Sequence, residues 1–386
     1  MKYYIIAGER SGDLHGSNLI KSLRKNDPKA NLRGFGGDYM KDAGMELVVH
    51  YSKLAFMGFV AVIANLTKIS KLLKICKRDI LEFQPDVIIL IDYAGFNMRI
   101  AKFAKANGLK VFYYISPKVW AWNTGRAWKL KANVDRMFCI LPFEKNFYKQ
   151  FDWDVDYVGN PVLDAVKAFQ SDPGFIDRNS ISKQRKIVAL LPGSRKIELQ
   201  RMLPVMAEVV RSNPYYQFIV AAVKTLPDEL YAPLRSTPNV KFIYDTTYDL
   251  LSHADAAIVT SGTATLETGL FKVPQAVIYR ASSIEYFLGI RFVKVKFISL
   301  VNLIANRLVI KEFLQHTMIA ENVNTELKNL LENESYRKKM LSDYEEVYKI
   351  LDTGSASENA GRLMVSYLKS QILIPKPPST YYTATY

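Results

Sequence analysis

The chain has few of the residues that build disulfide frameworks or metal centres. Its 386 residues include only two cysteines, Cys76 and Cys139, and four histidines. Two cysteines do not make a disulfide framework, and no histidine has metal-ligand spacing to another. We therefore expect no metal site and no cofactor.

Long apolar runs are also missing. No stretch of 18 apolar residues occurs, so no segment predicts a membrane-spanning helix. The opening MKYYIIAGERSGD becomes polar too soon for a secretory signal and predicts a first buried strand instead. We expect a protein of the cytosol or of a membrane surface.

Acidic residues are outnumbered by basic ones. Lys and Arg total 52 against 37 Asp and Glu, a formal net charge of +15. This excess predicts an anionic partner, which could be nucleic acid, an anionic bilayer or a phosphorylated substrate. The basic residues are scattered and lack the interleaved aromatic residues typical of nucleic-acid binding, so we do not expect nucleic acid.

Short apolar runs alternate with longer amphipathic runs along most of the chain. This pattern predicts an α/β fold of two doubly wound, Rossmann-like halves, each with a parallel sheet covered on both faces. The length also favours two domains over one. We place the first domain at 1–165, the second at 166–353, a helix that packs back on the protein at 354–374, and a disordered tail at 375–386.

Residues that follow the strands of the first half are candidates for chemistry, because doubly wound sheets bind ligands at the carboxyl ends of their strands. Glu9, Asp13 and His15 follow the first strand in AGERSGDLHG, although chance loop composition would also explain them. Asp92 ends a central strand in LIDYAGFN. Partial desolvation there would raise its pKa and make it a better base. A structural acid that caps the next helix is an equal alternative.

Two strand-to-helix turns in the second half have features of phosphate binding. In LPGSRKIEL, Gly193 allows a tight turn, Ser194 can cap the helix, and Arg195 can bind a phosphate through two hydrogen bonds. The spacing of a P-loop is absent. In VTSGTATLETG a buried strand runs into a helix that opens with Ser261, Gly262, Thr263, Ala264 and Thr265.

Glu267 lies one helical turn further in that second motif. A carboxylate would repel an anion at the helix start, so it suits neutral sugar hydroxyls. Plain helix capping is the alternative for both turns. Taken together, the two turns favour a nucleotide diphosphate as ligand.

The stretch FMGFVAVIANLTKISKLLKICKR joins an apolar cluster to a basic helix, a pattern typical of a segment at an anionic lipid surface. The cluster comprises Phe56, Met57, Phe59, Val60, Val62 and Ile63, and the cations that follow include Lys68, Lys71 and Lys74. A core helix with a solvated basic face is the alternative. A second such run, EYFLGIRFVKVKFISL, favours the interfacial interpretation.

One motif points to metal, but weakly. DWDVD, at 152–156, fits the D-x-D motif through which some glycosyltransferases bind a metal. Such motifs occur by chance, and this one lies in a turn before a predicted strand. We therefore do not assign it a metal.

Nine motifs between about Tyr4 and His316 together resemble the lipid-A-disaccharide synthase family. They are AGERSGDLHG, FMGFVAV, DYAGFN, YYISPKVWAW, ILPFEKNFY, VGNPVLD, LLPGSRKIEL, SGTATLETGL and KFISLVNLIA. The resemblance implies an inverting GT-B glycosyltransferase whose two domains face a cleft. It implies UDP-2,3-diacylglucosamine as donor and 2,3-diacylglucosamine 1-phosphate as acceptor. The products would be a β-1,6-linked disaccharide 1-phosphate and UDP, formed without a metal.

The resemblance also implies roles for individual residues. Asp92 matches the proposed base, and Arg195 matches an arginine that contacts phosphate. The remaining matches are Glu9, Ser11 and Asp13 in the first loop, and Glu267 and Asn302 on the nucleotide side. Three positions depart from the family: Gly95 stands where many members have an acid, Asn160 where many have histidine, and Arg10 where a small residue is usual.

A place in the cell is implied as well. The resemblance suggests a peripheral protein on the inner face of the inner membrane of a Gram-negative bacterium, and a homodimer that exchanges C-terminal segments.

Two rival hypotheses stay open. One is another UDP-sugar enzyme of the same architecture, such as an epimerase or another lipid-linked-sugar glycosyltransferase, and the other is a non-enzymatic basic membrane-binding module.

Overall fold

The computed structural model describes residues 1–54, 66–281 and 296–372. They divide into two compact units. The first comprises Met1–Val119, Gly125–Pro161 and the C-terminal segment that starts at Thr353, and the second comprises Trp120–Thr124 and Val162–Asp352. Each unit is built on a parallel sheet of its own.

The first unit alternates strands and helices, as its sequence predicts. Its strands are β1 (Lys2–Ala7), β2 (Asn31–Gly36), β3 (Glu46–His50), β4 (Val87–Ile91), β5 (Val111–Tyr114), β6 (Arg136–Cys139) and β7 (Asp156–Tyr157). Its longer helices are α1 (Arg10–Asn26), α3 (Leu66–Phe83), α4 (Ala94–Ala106), α6 (Arg126–Asn133), α7 (Pro142–Lys149) and α17 (Ala356–Ile372). Shorter helices are α2 (Asp38–Asp42) and α5 (Val119–Trp122, grouped mostly with the second unit), and Tyr51–Lys53 forms a 3-10 turn.

Strand order in this sheet is β3-β2-β1-β4-β5-β6-β7. Side chains of β1 alternate between two cores, since successive residues of a strand point to opposite faces. Tyr4 and Ile6 belong to the core under α3, α4 and α6. Tyr3 and Ile5 belong to the core under α1, α2 and α17. The sheet is therefore buried on both faces, which explains the unbroken apolar sequence VIILI of β4.

The second unit repeats the plan. Its strands are β8 (Ile187–Leu191), β9 (Gln217–Ala222), β10 (Val240–Tyr244), β11 (Ala256–Thr260), β12 (Gln275–Tyr279) and β13 (Glu312–Leu314), in the order β10-β9-β8-β11-β12-β13. Its longer helices are α10 (Lys196–Arg211), α13 (Thr263–Leu270), α15 (Ala320–Glu332) and α16 (Glu334–Leu351). The shorter ones are α8 (Pro161–Ala168), α9 (Phe175–Arg178), α11 (Ala232–Arg235), α12 (Thr247–His253) and α14 (Leu300–Ala305), with 3-10 turns at Asp228–Tyr231 and Gln315–Thr317.

Some local elements differ from the sequence prediction. Helix α1 begins at Arg10, so most of the predicted loop after β1 is helical. The stretch 161–185, whose loosened apolar pattern is typical of a linker, contains α8 and α9. Pro161 starts the first of these, because proline is well suited to the first position of a helix. The predicted tail, 375–386, lies outside the described residues.

Candidate active site

The strand order reverses once in each sheet, between β1 and β4 in the first unit and between β8 and β11 in the second. Doubly wound sheets bind ligands outside the carboxyl ends of the strands at such a point. The candidate residues follow these four strands. Glu9 comes after β1, Asp92 after β4, Arg195 after β8 and Ser261 after β11.

Asp92 occupies the turn between β4 and α4 in an uncommon backbone conformation. Its φ is 45° and that of Tyr93 is 44°, so two successive non-glycine residues are left-handed. Solvent reaches the side chain of Asp92. Burial nevertheless raises the pKa of this carboxyl group, and the charge of Lys118 lowers it. A carboxylate of raised pKa is a stronger base once ionised.

Lys118 was not among the residues predicted from the sequence. It lies just beyond β5, the neighbour of β4, and its side chain is exposed. The preceding turn is strained, because Ile115 has a φ of 64°, which is rare for a β-branched residue. Adjacency in the sheet was the signal that could have found Lys118, since its motif ISPKVWAW follows a strand that pairs with β4.

Gly8 makes room for the residue after Asp92. A Cβ atom on Gly8 would lie 2.3 Å from the ring of Tyr93. The hydroxyl of Tyr93 donates a hydrogen bond of 2.6 Å to the carbonyl of Leu54. A glycine is thus required after β1, because the β4–α4 turn approaches it closely. This contact places the residues after β1 next to the turn that contains Asp92.

The other acidic candidates of the first unit differ in environment. Asp13 is 1% exposed, and its carboxylate accepts the N–H groups of Gly37 (2.8 Å), Tyr39 (3.1 Å) and Met40 (3.0 Å). These bonds cap α2 and favour a structural role over proton transfer. Glu9 is the N-cap residue of α1 and stays partly exposed.

His15 lies within α1 and is partly buried. Burial lowers its pKa to about 4, so the imidazole is neutral at physiological pH. A neutral imidazole can donate or accept a hydrogen bond, but it is not a cationic acid at that pH. His15 therefore suits contact with a substrate hydroxyl better than proton donation.

The three positions that depart from the family are all in the first unit, where Arg10 is the first residue of α1. A Cβ atom on Gly95 would meet nothing within 4 Å, so an acid at this second residue of α4 would fit without displacing a neighbour. Asn160 is 2% exposed, and its amide donates to the carbonyl of Ile140 at 3.0 Å. This contact gives Asn160 a structural role.

The turn after β8 is closed by Glu198. Its carboxylate accepts hydrogen bonds from the N–H groups of Ser194, at 2.8 Å, and Arg195, at 3.2 Å. Gly193 has a φ of 105°, and a Cβ atom there would lie 2.4 Å from Glu198 Oε2. The guanidinium of Arg195 is 3.4 Å from Glu198 Oε1 and remains 60% exposed. It can reach a phosphate while Glu198 holds its backbone.

Hydroxyl groups after β11 mostly bind the protein itself. Ser261 Oγ donates to the carbonyl of Ile298 at 2.9 Å, and Thr265 Oγ1 donates to that of Gly262 at 2.8 Å. Thr263 is exposed, Ala264 is partly exposed, and a Cβ atom on Gly262 would meet nothing within 4 Å. Open space therefore lies at the start of α13, where the first N–H groups of a helix have no partner within it.

Glu267 is held by a tyrosine. The hydroxyl of Tyr248 donates to Glu267 Oε1 at 2.9 Å. Burial raises the pKa of Glu267, and the bond from Tyr248 lowers it. The second carboxylate oxygen can accept from a ligand hydroxyl, as the sequence suggests. Tyr248 was not predicted, because only the fold brings α12 beside α13.

Asn302 lies beneath the surface of this region. The side chain is 0% exposed. Its Nδ2 donates hydrogen bonds to the carbonyl of Ile310 and to Glu312 Oε1. Its Oδ1 accepts hydrogen bonds from the N–H groups of Val309 and Ile310, and all four distances are 2.8–3.0 Å. Glu312 also accepts hydrogen bonds from the N–H group and the hydroxyl of Ser299. With both donors and both lone pairs used, Asn302 supports the segment that contacts Ser261 and has no group left for a nucleotide.

The basic helix predicted from the sequence is present as α3. Lys68, Lys71 and Lys74 are exposed on it. The apolar residues predicted to contact lipid, Phe56, Met57, Phe59, Val60, Val62 and Ile63, lie outside the described residues. Within the part of the chain that is described, no helix is long and apolar enough to cross a bilayer.

Solved structures of known proteins define the class. The chain is similar to a UDP-GlcNAc 2-epimerase from Neisseria meningitidis bound to UDP-GlcNAc, with a TM-score of 0.64 and 16% identity over 96% of this chain and 100% of that one. It is also similar to the calicheamicin glycosyltransferase CalG4, with a TM-score of 0.59 and 12% identity over 97% and 99% of the two chains. At such low identity the likeness is one of fold, and that fold is the two-domain GT-B architecture.

The sequence carries the identification further. The lipid-A-disaccharide synthetase family matches residues 3–363. The chain is 38% identical over 370 residues to the lipid-A-disaccharide synthase of Geobacter metallireducens, covering 94% of this chain and 96% of that protein. It is 34% identical over 364 residues to that of Coxiella burnetii, covering 93% and 96%. The chain belongs to the lipid-A-disaccharide synthetase family, which confirms the resemblance, and to the glycosyltransferases.

Proposed function

We propose that this chain joins UDP-2,3-diacylglucosamine to 2,3-diacylglucosamine 1-phosphate. The products are the β-1,6-linked disaccharide 1-phosphate and UDP. Family membership supports the reaction, and the observation that carries its chemistry is Asp92, a carboxylate of raised pKa at the carboxyl end of β4. An epimerase has the same fold, but fold alone does not favour that rival.

Asp92 is the general base of the proposed displacement. Its carboxylate removes the proton of the acceptor 6-hydroxyl as that oxygen attacks the anomeric carbon of the donor. The bond from this carbon to the diphosphate oxygen breaks, and UDP leaves with the electron pair from the opposite face. The new linkage has the inverted configuration, and the proton stays on Asp92.

The second unit binds UDP in this proposal. Arg195, whose guanidinium is exposed, contacts the diphosphate, and the open start of α13 contributes N–H groups and a favourable dipole. Glu267 accepts hydroxyls of the ribose through the oxygen that Tyr248 leaves unbound. Such preformed donors stabilise the charge that develops on the departing diphosphate, so we expect no need for Mg²⁺. Full activity in excess EDTA is the corresponding result.

Lys118 should affect the pH dependence of kcat/KM. Its charge lowers the pKa of Asp92, so in Lys118→Met that pKa should rise. The base must be ionised to act, and the acid limb of the profile of kcat/KM should therefore move to higher pH. Lys149→Met, which removes an exposed cation of the same unit at the end of α7, serves as the control. An unchanged acid limb in Lys118→Met would contradict the assignment of Asp92 as the titrating base.

A basic layer on the first unit is the proposed contact with anionic lipid. It consists of exposed cations and one exposed tryptophan on α3, α4 and α6, the helices that cover one face of the sheet. Helices α4 and α6 contain no acidic residue. The layer's members are Lys68, Lys71, Lys74, Arg99, Lys102, Trp128 and Lys129. Trp128 is 54% exposed, and tryptophan favours the headgroup region of a bilayer.

Charge reversal in the basic layer should weaken vesicle binding. Each Lys near an anionic surface contributes about 1 kcal/mol, so Lys71→Glu, Lys74→Glu and Lys102→Glu together should lower binding at least ~100-fold. The control reverses Lys21, Lys41 and Arg362, which are exposed on the helices that cover the opposite face. Co-sedimentation with phosphatidylglycerol vesicles measures both. Equal losses in the two triple variants would rule out this face as the contact.

The resemblance supports a proposal for the location and the assembly of the protein. We propose a peripheral protein of the inner face of the Gram-negative inner membrane that forms a homodimer. In the chain itself α17 packs on α1, where a Cβ atom on Gly361 would meet Ser22 Oγ at 2.3 Å. Exchange of C-terminal segments would place the partner's α17 in this position. Light scattering would detect the dimer.

An assay of UDP release tests the proposed function. UDP should appear only when both diacylglucosamine substrates are present. An epimerase acts on the UDP-sugar without an acceptor, and a binding module releases no UDP. Release from the donor alone at the same rate, or no release with both lipids in mixed micelles, would contradict a glycosyltransferase.

A further inference from the structure

The carbonyl oxygen of Asp92 is a point of convergence for two buried side chains. Tyr113 Oη donates to it at 2.5 Å and Asn97 Nδ2 at 2.9 Å. The same amide of Asn97 also donates to the carbonyl of Ile91, the last residue of β4, at 3.1 Å. Both side chains are 0% exposed. Neither was singled out by its sequence pattern.

The backbone at this point needs such support. A left-handed conformation is unfavourable in a non-glycine residue. Two such residues in succession, Asp92 and Tyr93, are stable only if surrounding contacts hold them. The bonds from Tyr113 and Asn97 hold the first, and the contacts of the Tyr93 ring and hydroxyl hold the second.

Asn97 has one buried polar atom that makes no hydrogen bond within the described part of the chain. Its Oδ1 atom is buried and has no hydrogen-bond partner among the described residues. A buried acceptor without a partner is destabilising, and an apolar side chain of similar size would avoid this penalty. Both bonds that its amide donates end on the backbone that carries the proposed base, at the carbonyls of Ile91 and Asp92.

We infer that Tyr113 and Asn97 are positioning residues that fix the direction of the Asp92 carboxylate by clamping its own carbonyl. This rests on the proposed role of Asp92 as the base. Without the clamp, the β4–α4 turn can relax towards a right-handed conformation, and the carboxylate moves away from the proton it must take. Misplacement of a reacting group by about 1 Å can cost on the order of 100-fold in rate.

Tyr113→Phe tests the clamp, because it removes one hydroxyl and keeps the ring. We expect kcat to fall at least ~10-fold, with KM for both substrates changed less than twofold and stabilisation by UDP unchanged. The control is Tyr4→Phe. Tyr4 is equally buried in the same core, and its hydroxyl donates to Asp79 Oδ2 at 2.8 Å, away from Asp92. That variant should keep its kcat.

A double-mutant cycle with Asp92→Asn separates positioning from general loss of structure. If Tyr113 acts through the base, Tyr113→Phe should change the residual rate of the Asp92→Asn enzyme less than twofold. An equal fall in both backgrounds, or an unchanged kcat in Tyr113→Phe alone, would overturn the clamp. Normal turnover in Asp92→Asn would instead overturn the proposed base. Asn97→Leu, measured below its melting transition, should repeat the pattern of Tyr113→Phe.

Discussion

Asp92→Asn should reduce turnover at least ~100-fold while the protein folds and binds UDP as before. General-base catalysis typically contributes a factor of that size or more. The substitution keeps the shape of the side chain, and the backbone carbonyl clamped by Tyr113 and Asn97 is untouched. Rates with both lipid substrates and thermal shifts with UDP measure the two expectations.

Asp13 and His15 provide the comparison for this result. Asp13→Asn should lower the melting temperature, because an amide cannot accept the three backbone N–H groups of the Gly37–Met40 turn as a carboxylate does. Any loss of activity should follow that loss of stability. If Asp92→Asn kept near-normal turnover while a folded Asp13→Asn or His15→Ala enzyme had none, the base would belong to α1.

Arg195→Ala should lose most of the stabilisation that UDP gives the wild-type protein. A hydrogen bond to a charged group contributes roughly 1.5–3 kcal/mol, which corresponds to about 10- to 150-fold in affinity. The guanidinium is free to move towards a diphosphate, since its contact with Glu198 is long and largely exposed. Exposed ion pairs of this kind contribute little to stability. The unliganded variant should therefore melt close to the wild type.

Arg211→Ala is the matched control for Arg195→Ala. Arg211 is exposed at the last position of α10, the helix that Arg195 caps. Loss of a cation there should leave the shift with UDP unchanged. Equal shifts with UDP in the wild type and Arg195→Ala would remove Arg195 from the phosphate site.

Patterns along the chain predict the framework of both sheets, because apolar strands such as VIILI and amphipathic helices such as α3 are local features. The same patterns identify two candidates, Asp92 directly after β4 and Arg195 four residues after the end of β8. The contacts that decide their surroundings are not local. Tyr113 and Lys118 come beside Asp92 only through the pairing of β4 with β5.

Asn302 and Asp13 show the limit of motif matching. Each matches a family position, yet each is fully buried and bonded mainly to backbone groups. The partners of Asp13 lie 24–27 residues further along the chain. A sequence motif identifies the residue, but whether its polar atoms face a ligand or the protein depends on how distant segments meet.

Asp92 and the turns proposed to bind UDP should join two acylated sugars with inversion. Nuclear magnetic resonance and mass spectrometry of the lipid formed from both substrates test it most directly. We predict a β-linked disaccharide attached at the 6-position, with one phosphate and four acyl chains, and one UDP released per disaccharide. An α linkage would contradict direct displacement. Recovery of both lipids unchanged, or of a UDP-sugar altered only at C2, would contradict glycosyl transfer itself.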